Sequence, residues 1–308
     1  MTARGLLPEE RRGKLKELLL RESRAIRLME CHNGLSAIVA NNASARGADG
    51  EKREFDGLWI SGLSESASRG LPDIELQGML SRVALIREIS GVTDKPIVVD
   101  GDTGGTIDQL QYFIRTLEAD GVSALIIEDK VFPKNNSLDH TKAQVLEDPE
   151  IFARKIEQGK AAQRSKDFLL IARTEALVAG DEMGNALMRA ERYALAGADA
   201  IVIHSRSKSP DEVLEFSRRF QEICASRKIQ VPLVSIPTIY NSITERELYK
   251  AGFRMVIHAN HLMRSAYLAM QATAEKILAH DRSLEVESQC VPLATLFQVI
   301  EGARNGDK

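Results

Sequence analysis

Along the chain, short apolar runs alternate with longer segments whose apolar residues recur every three or four positions. The short runs are rich in β-branched residues and span 26–32, 55–61, 96–102, 124–130, 168–174, 200–205, 232–238 and 253–260. Several are near-continuously apolar, the pattern of parallel strands buried on both faces. Between them, Ile107, Leu110, Ile114 and Leu117 repeat at helical spacing, and Gly121 stops that helix before the next strand. The same helix–glycine–strand join recurs at 195–199 and 250–253. Ser209 offers an N-cap, with Pro210 at the first helical position and Asp211 and Glu212 in the first turn. Thr244 with Glu247 three residues on makes a capping box. Eight strands alternating with helices predict an α/β protein, a (β/α)₈ TIM-type barrel in one domain over 1–308. A doubly wound open sheet is the alternative, but no Gly-x-Gly-x-x-Gly follows the first strand. The barrel core is expected over about residues 25–262, with C-terminal helices at 263–308. Residues 1–24 read as an N-terminal helical extension with Leu15, Leu18 and Leu19 on one face, and the polar stretch 43–53 reads as a loop insertion.

Composition narrows the function classes. Of 308 residues, 44% are hydrophobic, enough for a substantial core, and 41 Lys+Arg face 44 Asp+Glu. That near-balance supports neither a nucleic-acid partner nor a polybasic membrane anchor. With 5% aromatics, a base-stacking platform is also disfavoured. Glu9, Glu10, Arg11 and Arg12 near the N-terminus do not read as a secretory signal, and no segment reaches the ~18 apolar residues of a membrane span. Cys31, Cys224 and Cys290 are too far apart for a Cys-x-x-Cys site and odd in number, so a reducing, cytoplasmic setting is expected.

In a barrel the chemistry belongs at the C-terminal ends of strands, where the unusual polar residues fall. One run ends Asp100-Gly101-Asp102, with both carboxylates expected on one face, and the next ends Glu128-Asp129-Lys130. Clustered carboxylates repel unless a cation compensates, and oxygen ligands without a His/Cys set favour Mg²⁺ or Mn²⁺. A solvated acidic turn would account for the same residues. Arg173 could hold an anion or simply pair with Glu175. His204 could serve an anion or be structural. Gly101, Gly104 and Gly105 suit a turn better than a phosphate cradle, Lys134 is by default a surface lysine, His258 and His261 read as packing residues, and Trp59 as core filling. These residues together describe a metal-dependent barrel enzyme acting on a small anion.

The run Glu128-Asp129-Lys130-Val131-Phe132-Pro133-Lys134-Asn135-Asn136-Ser137 resembles the signature of the phosphoenolpyruvate mutase branch of the isocitrate lyase superfamily. Stretches 32–36, 61–64, 100–104, 172–176, 203–205 and 237–238 agree in order, so the likeness covers nearly the whole barrel. The resemblance implies a barrel whose last helix swaps between subunits, in a dimer or dimer of dimers. It implies a Mg²⁺-dependent exchange of a phosphoryl group between phosphoenolpyruvate and phosphonopyruvate, a small-molecule substrate. It implies Asp100 as metal ligand, with Asp102 and Glu128 acting through metal-bound water. Ser61, with the amides of Gly62 and Leu63, would hold the pyruvyl part. Arg173, His204 and Asn136 would grip the phosphoryl group, and Trp59 would line the pocket. Asp73 matches the family's nucleophile, whether it forms a phospho-aspartate or steers a metaphosphate-like species, and Lys134, Asn136 and Ser137 would lie on a closing loop. Gly101 stands where alanine is usual, and Gly104-Gly105 replaces the commoner Gly-Tyr-Gly of the lyases. The loop lacks the cysteine of the carbon–carbon lyases. Asn136 stands where the related hydrolases tend to carry threonine. Hydrolysis of phosphonopyruvate, cleavage of an oxaloacetate-type acid and an inactive binding barrel are the competing functions.

Overall fold

The computed structural model describes residues 6–305, with side chains as far as Gly302. Residues 1–5 of the expected N-terminal extension and 306–308 of the terminal helices lie outside the described residues. The eight expected strands form one closed parallel barrel. In chain order the elements are α1 (Pro8–Arg21), β1 (Ile26–Cys31), α2 (Gly34–Asn42), β2 (Ser44–Arg46), β3 (Lys52–Glu54), β4 (Gly57–Ile60), α3 (Gly62–Ser68) and α4 (Met79–Ser90). There follow β5 (Ile97–Asp100), α5 (Ile107–Ala119), β6 (Ala124–Glu128), α6 (Pro149–Ala162), β7 (Leu169–Thr174), α7 (Ala176–Ala179) and α8 (Met183–Leu195). The chain continues through β8 (Ala200–Ile203), α9 (Asp211–Arg227), β9 (Leu233–Ser235), α10 (Glu245–Lys250), β10 (Phe253–His258), α11 (His261–His280) and α12 (Leu293–Asn305). Closure comes where β1 pairs with β10, Ile26 opposite Met255, and with β4, Leu28 opposite Gly57.

Alternation along each strand sorts side chains into two shells. Leu28, Trp59, Val98, Ile126, Ile171 and Val202 point into the barrel, while Val99, Leu125, Leu170 and Ile203 point outward against the helices. Each fully buried aliphatic side chain contributes roughly 1.5–3 kcal/mol, so the two apolar shells dominate the stability of the barrel. Leu15 of α1 joins the inner shell, with Leu18 and Leu19 packed on it. The extension therefore plugs the N-terminal mouth and leaves the chemistry to the other end. Arg11 and Lys14 fasten it to the carbonyls of Ser90, Thr93 and Asp94.

Local signals explain the ends of the elements. In α5, Leu110, Ile114 and Leu117 are fully buried, as their spacing predicts, while Ile107 in the first turn is exposed; Gly121, Gly197 and Gly252 each take a positive φ at a helix-to-strand join. The capping box of Thr244 and Glu247 is present. Two expectations need correcting. The stretch 43–53 is not a loop: β2 and β3 pair antiparallel, Ser44 opposite Glu54 and Arg46 opposite Lys52. Both faces of this hairpin are polar and mostly exposed, so no apolar alternation announced it. Helix α9 starts at Asp211 with Pro210, already in helical conformation, as its N-cap, one residue later than predicted, although the Ser209 hydroxyl still accepts from the Asp211 amide at 3.4 Å.

The last barrel helix behaves unlike the others. No residue of α11 is buried, and Tyr267, Leu268 and Met270 are each more than 60% exposed. Among the described residues, no helix is long and apolar enough to cross a membrane.

Candidate active site

The inward positions of the strands lead directly to the site. Val98, Ile126, Ile171 and Val202 belong to the inner shell. Two residues further on, the same alternation delivers Asp100, Glu128, Arg173 and His204 to the C-terminal mouth. All four are buried. Asp102 arrives differently from the expected shared face. Strand β5 ends at Asp100, and Asp102 sits in the following turn with φ 51°. Its carboxylate is placed instead by the Arg82 guanidinium at 3.0 Å and the Lys134 ammonium at 2.9 Å.

The acidic half surrounds Gly62. A methyl group at that position would lie 2.8 Å from Asp102 Oδ1, 3.2 Å from Asp100 Oδ2 and 3.3 Å from Asp73 Oδ1, so only glycine leaves room for three carboxylates. The Gly62 amide donates to Asp100 Oδ2 at 3.0 Å. Ser61 caps α3, its hydroxyl accepting from the Ser64 amide, and with Leu63 and Trp59 it lines the cavity.

Opposite stands a cationic web. Arg173 donates to Ser137 Oγ at 2.8 Å, contacts His204 Nδ1 at 2.9 Å, lies 3.4 Å from Glu128 and pairs tightly with Glu175. Ser137 in turn donates to Glu175 at 2.6 Å and accepts from Lys130 Nζ at 2.5 Å. Arg173 thus makes the pair with Glu175 that one of its two readings expected, and it also lines the cavity.

The segment 131–145 closes over both halves. Lys134 is buried, against its default reading as a surface lysine, and its Nζ also lies 3.3 Å from Asp73. Asn136 Nδ2 donates to the same Asp73 oxygen at 2.6 Å. Lys134, Asn136, Ser137 and Leu138 help enclose a cavity of about 50 Å³ with Trp59, Asp73, Asp100, Arg173 and His204. That is far below the ~300 Å³ at the lower end of ligand pockets. A larger cavity of about 910 Å³ lies beside β1 and the hairpin, lined by Arg24, Arg27, Arg53 and Glu245, away from this cluster. His258 faces Glu245 there at 3.1 Å and stacks edge-on with Phe55 and His261, the packing role expected for both histidines.

Charge balance sets the protonation states. Burial, reinforced by Asp102, pushes the Asp100 carboxyl up. Burial acts on Asp102 in the same sense, but Lys134 and Arg82 outweigh it and hold that carboxyl down. Burial opposes the Lys134 charge most strongly, yet Asp102, Glu128, Asp73 and Asp100 together keep the ammonium protonated. Burial, then the Arg173 charge, lowers His204 against the pull of Glu175, so its imidazole is neutral at pH 7.

The donor set fits a hard divalent cation. Both Glu128 oxygens are buried without a hydrogen bond, facing Lys130 and Arg173 at 3.4 Å, and the carboxylates around Gly62 offer oxygen only. Among the described residues, no group of three or more Asp, Glu, His or Cys side chains is gathered so as to hold a metal ion by itself. An ion here would keep several waters, as Mg²⁺ does.

Sequence reasoning passed over several residues of this site. Glu175 was read only as an ion-pair partner of Arg173, whereas it also binds Ser137, Lys130 and His204. Arg82, buried between Glu65, Asp102 and the Asp100 carbonyl, and Glu75, which bonds Thr103 and Lys134, gave no local signal.

Residues 15–278 match the protein family described as phosphoenolpyruvate phosphomutase. The chain is 36% identical over 273 residues to the phosphoenolpyruvate phosphomutase of Tetrahymena pyriformis, covering 88% of this chain and 85% of that protein. The crystal structure of a phosphoenolpyruvate phosphomutase from Streptomyces platensis subsp. rosaceus superposes with a TM-score of 0.85 at 38% identity, covering 94% of each chain. A phosphonopyruvate hydrolase solved with oxalate and Mg²⁺ superposes with a TM-score of 0.82 at 33% identity, covering 94% of this chain and 95% of that one.

Proposed function

The chain belongs to the phosphoenolpyruvate phosphomutase family, within the isocitrate lyase/PEP mutase superfamily of enzymes, and we propose that it interconverts phosphoenolpyruvate and 3-phosphonopyruvate. The reaction moves a phosphoryl group between the enol oxygen and carbon C3 of the same molecule. The observation that carries this reading is the placement of Asp73: a buried carboxylate at the barrel mouth, gripped by Lys134 and Asn136, beside Asp100 and Asp102.

Each residue then has a physical task. Asp100 would hold Mg²⁺, or Mn²⁺ in its place, directly, with Asp102 and Glu128 acting through its water. When bound, the ion offsets the negative charge of the pyruvyl enolate. Ser61 and the Gly62 and Leu63 amides orient the pyruvyl carboxylate and enolate against Trp59. Arg173, neutral His204 and Asn136 hold the phosphoryl oxygens as the group migrates, an electrostatic task in a buried site. Asp73 faces the phosphorus, either accepting it or steering it. Lys134 and Ser137 belong to the closing segment, and closure excludes the water that would divert the phosphoryl group to phosphate.

The small closed cavity and the Asn136–Asp73 bond favour the mutase over the hydrolase. The exposed apolar residues of α11 support a homo-oligomer, a dimer or dimer of dimers, in which that helix packs on a second copy. A single-domain organisation and a cytoplasmic setting, suited to three unpaired cysteines, complete the reading.

Phosphorus NMR of phosphonopyruvate with the protein and Mg²⁺ tests the activity. A phosphoenolpyruvate signal with little free phosphate is expected. Phosphate with pyruvate would make the chain a hydrolase, and an unchanged spectrum would remove both activities and turn attention to oxaloacetate-type acids.

A further inference from the structure

We propose that Glu75 is a positioning residue that couples closure of the 131–145 segment to the alignment of Asp73 and Asp102, an inference that rests on the activity proposed above. Glu75 touches none of the groups assigned to the substrate. It lies two residues beyond Asp73 in the link between α3 and α4, and its carboxylate spans three segments. Oε1 accepts from both the amide and the hydroxyl of Thr103, at 3.0 and 2.8 Å, and Thr103 directly follows Asp102. Oε2 accepts from the Lys134 amide at 2.9 Å. Lys134 is thereby held at both ends, its backbone by Glu75 and its ammonium by Asp73 and Asp102.

The backbone supports this assignment. Glu75 has a φ of 58°, a left-handed conformation that residues with a Cβ avoid unless surrounding contacts enforce it. The three hydrogen bonds to its carboxylate are the contacts that enforce it here. Each oxygen faces a different segment, and every partner is a donor. A carboxylate satisfies this geometry and an amide does not, because the amide nitrogen would confront either Thr103 or the Lys134 N–H. Glutamine at this position therefore keeps the shape and loses one side of the bridge. Whichever side is lost, the loop carrying Lys134 and Asn136 is no longer tied through Glu75 to the Asp102 turn, so it can lift while Asp73 remains in place, and water reaches the phosphoryl group.

The test compares wild type with Glu75→Gln and Glu75→Ala by two readouts. Hydrogen exchange over residues 131–140 reports the latch without substrate, and phosphorus NMR of phosphonopyruvate with Mg²⁺ reports rate and products. In E75Q the exchange should quicken about tenfold, the scale of one hydrogen bond to a charged group. kcat should fall about tenfold or more with a smaller change in KM, and free phosphate should take a larger share of the product. A merely structural role would alter thermal stability without moving the product ratio. Wild-type exchange and wild-type product ratio in E75Q would overturn the inference. If E75A fails to fold, E75Q decides. If the wild type does not turn over phosphonopyruvate, the exchange data still separate the two ideas. Faster exchange in E75Q keeps the latch and removes the activity, and unchanged exchange removes the latch.

Discussion

Arg82 is buried to 2% exposure with a carboxylate on either side, Glu65 at 2.5 Å and Asp102 at 3.0 Å, and its guanidinium also donates to the Asp100 carbonyl. Burial disfavours its charge most, but Asp102 and Glu65 more than compensate, so it stays a cation. Removing it would leave buried Asp102 to Lys134 alone and buried Glu65 to the partly exposed Arg69, each short of its closest cation. Arg82→Met should therefore cost roughly 3–5 kcal/mol, the scale of breaking a buried pair, read by urea denaturation. The exposed pair Arg218–Glu222 on α9, two-thirds solvent-facing on both sides, should yield under ~1 kcal/mol on the same test. A loss from Arg82→Met as small as that would refute the account. The contrast also explains which site residues the sequence revealed. Asp100, Glu128, Arg173 and His204 were legible because strand alternation fixes both their face and their end of the barrel. Asp73, Lys134 and Asn136 were reached through family resemblance alone, since loop positions are set by tertiary contacts. Arg82 was invisible because apolar periodicity does not register a buried cation whose partners lie 17 and 20 residues away.

Elements divide in the same way. The eight strands were legible because burial on both faces writes itself as continuous apolar runs, and the capping and glycine signals placed most helix ends. The β2–β3 hairpin was not, because its ladder is held by backbone hydrogen bonds and the surface pair Arg53–Asp49, neither of which leaves an apolar pattern. Helix α11 was legible as a helix, and the family resemblance set it between subunits. Its apolar residues predict burial, yet in one copy they face solvent, with Leu268 67% and Met270 61% exposed. Large apolar side chains left exposed along one helix mark an interface. Leu268→Glu with Met270→Glu should therefore convert the proposed oligomer to single chains, measured by light scattering on a sizing column. A wild-type mass equal to one chain, or a double variant with unaltered mass, would refute a shared helix.

Taken as a whole, the molecule is closed at one barrel mouth by α1 and carries its buried charges at the other, and this asymmetry governs its response to pH. Glu175 feels burial as the strongest influence, which would raise its carboxyl, but Arg173, Lys130 and His204 together hold it well below the usual range. Asp102 is held down by Lys134 and Arg82 in the same way. For such groups the unfolded chain binds protons that the folded chain refuses, so stability is present above the unfolded carboxylate pKa of about 4 and drains away as pH falls below it. His204 has the same sign in a higher window. Its lowered pKa means the unfolded imidazole takes up a proton below about 6.5 that the folded one does not. Asp100, Glu75 and Asp129 oppose them, since burial raises their carboxyls and lets the folded state bind a proton first. Glu175, the group held well below its usual range, and His204 set the direction, which predicts that the urea midpoint declines from pH 7 to pH 5.5 and falls more steeply towards pH 4. Glu175→Gln should lower the midpoint at pH 7, by leaving Arg173 and Lys130 without their shared partner, and shrink the further loss on acidification. Midpoints that hold steady or rise between pH 7 and pH 4 would mean that the charges at this mouth do not couple to folding as their geometry requires.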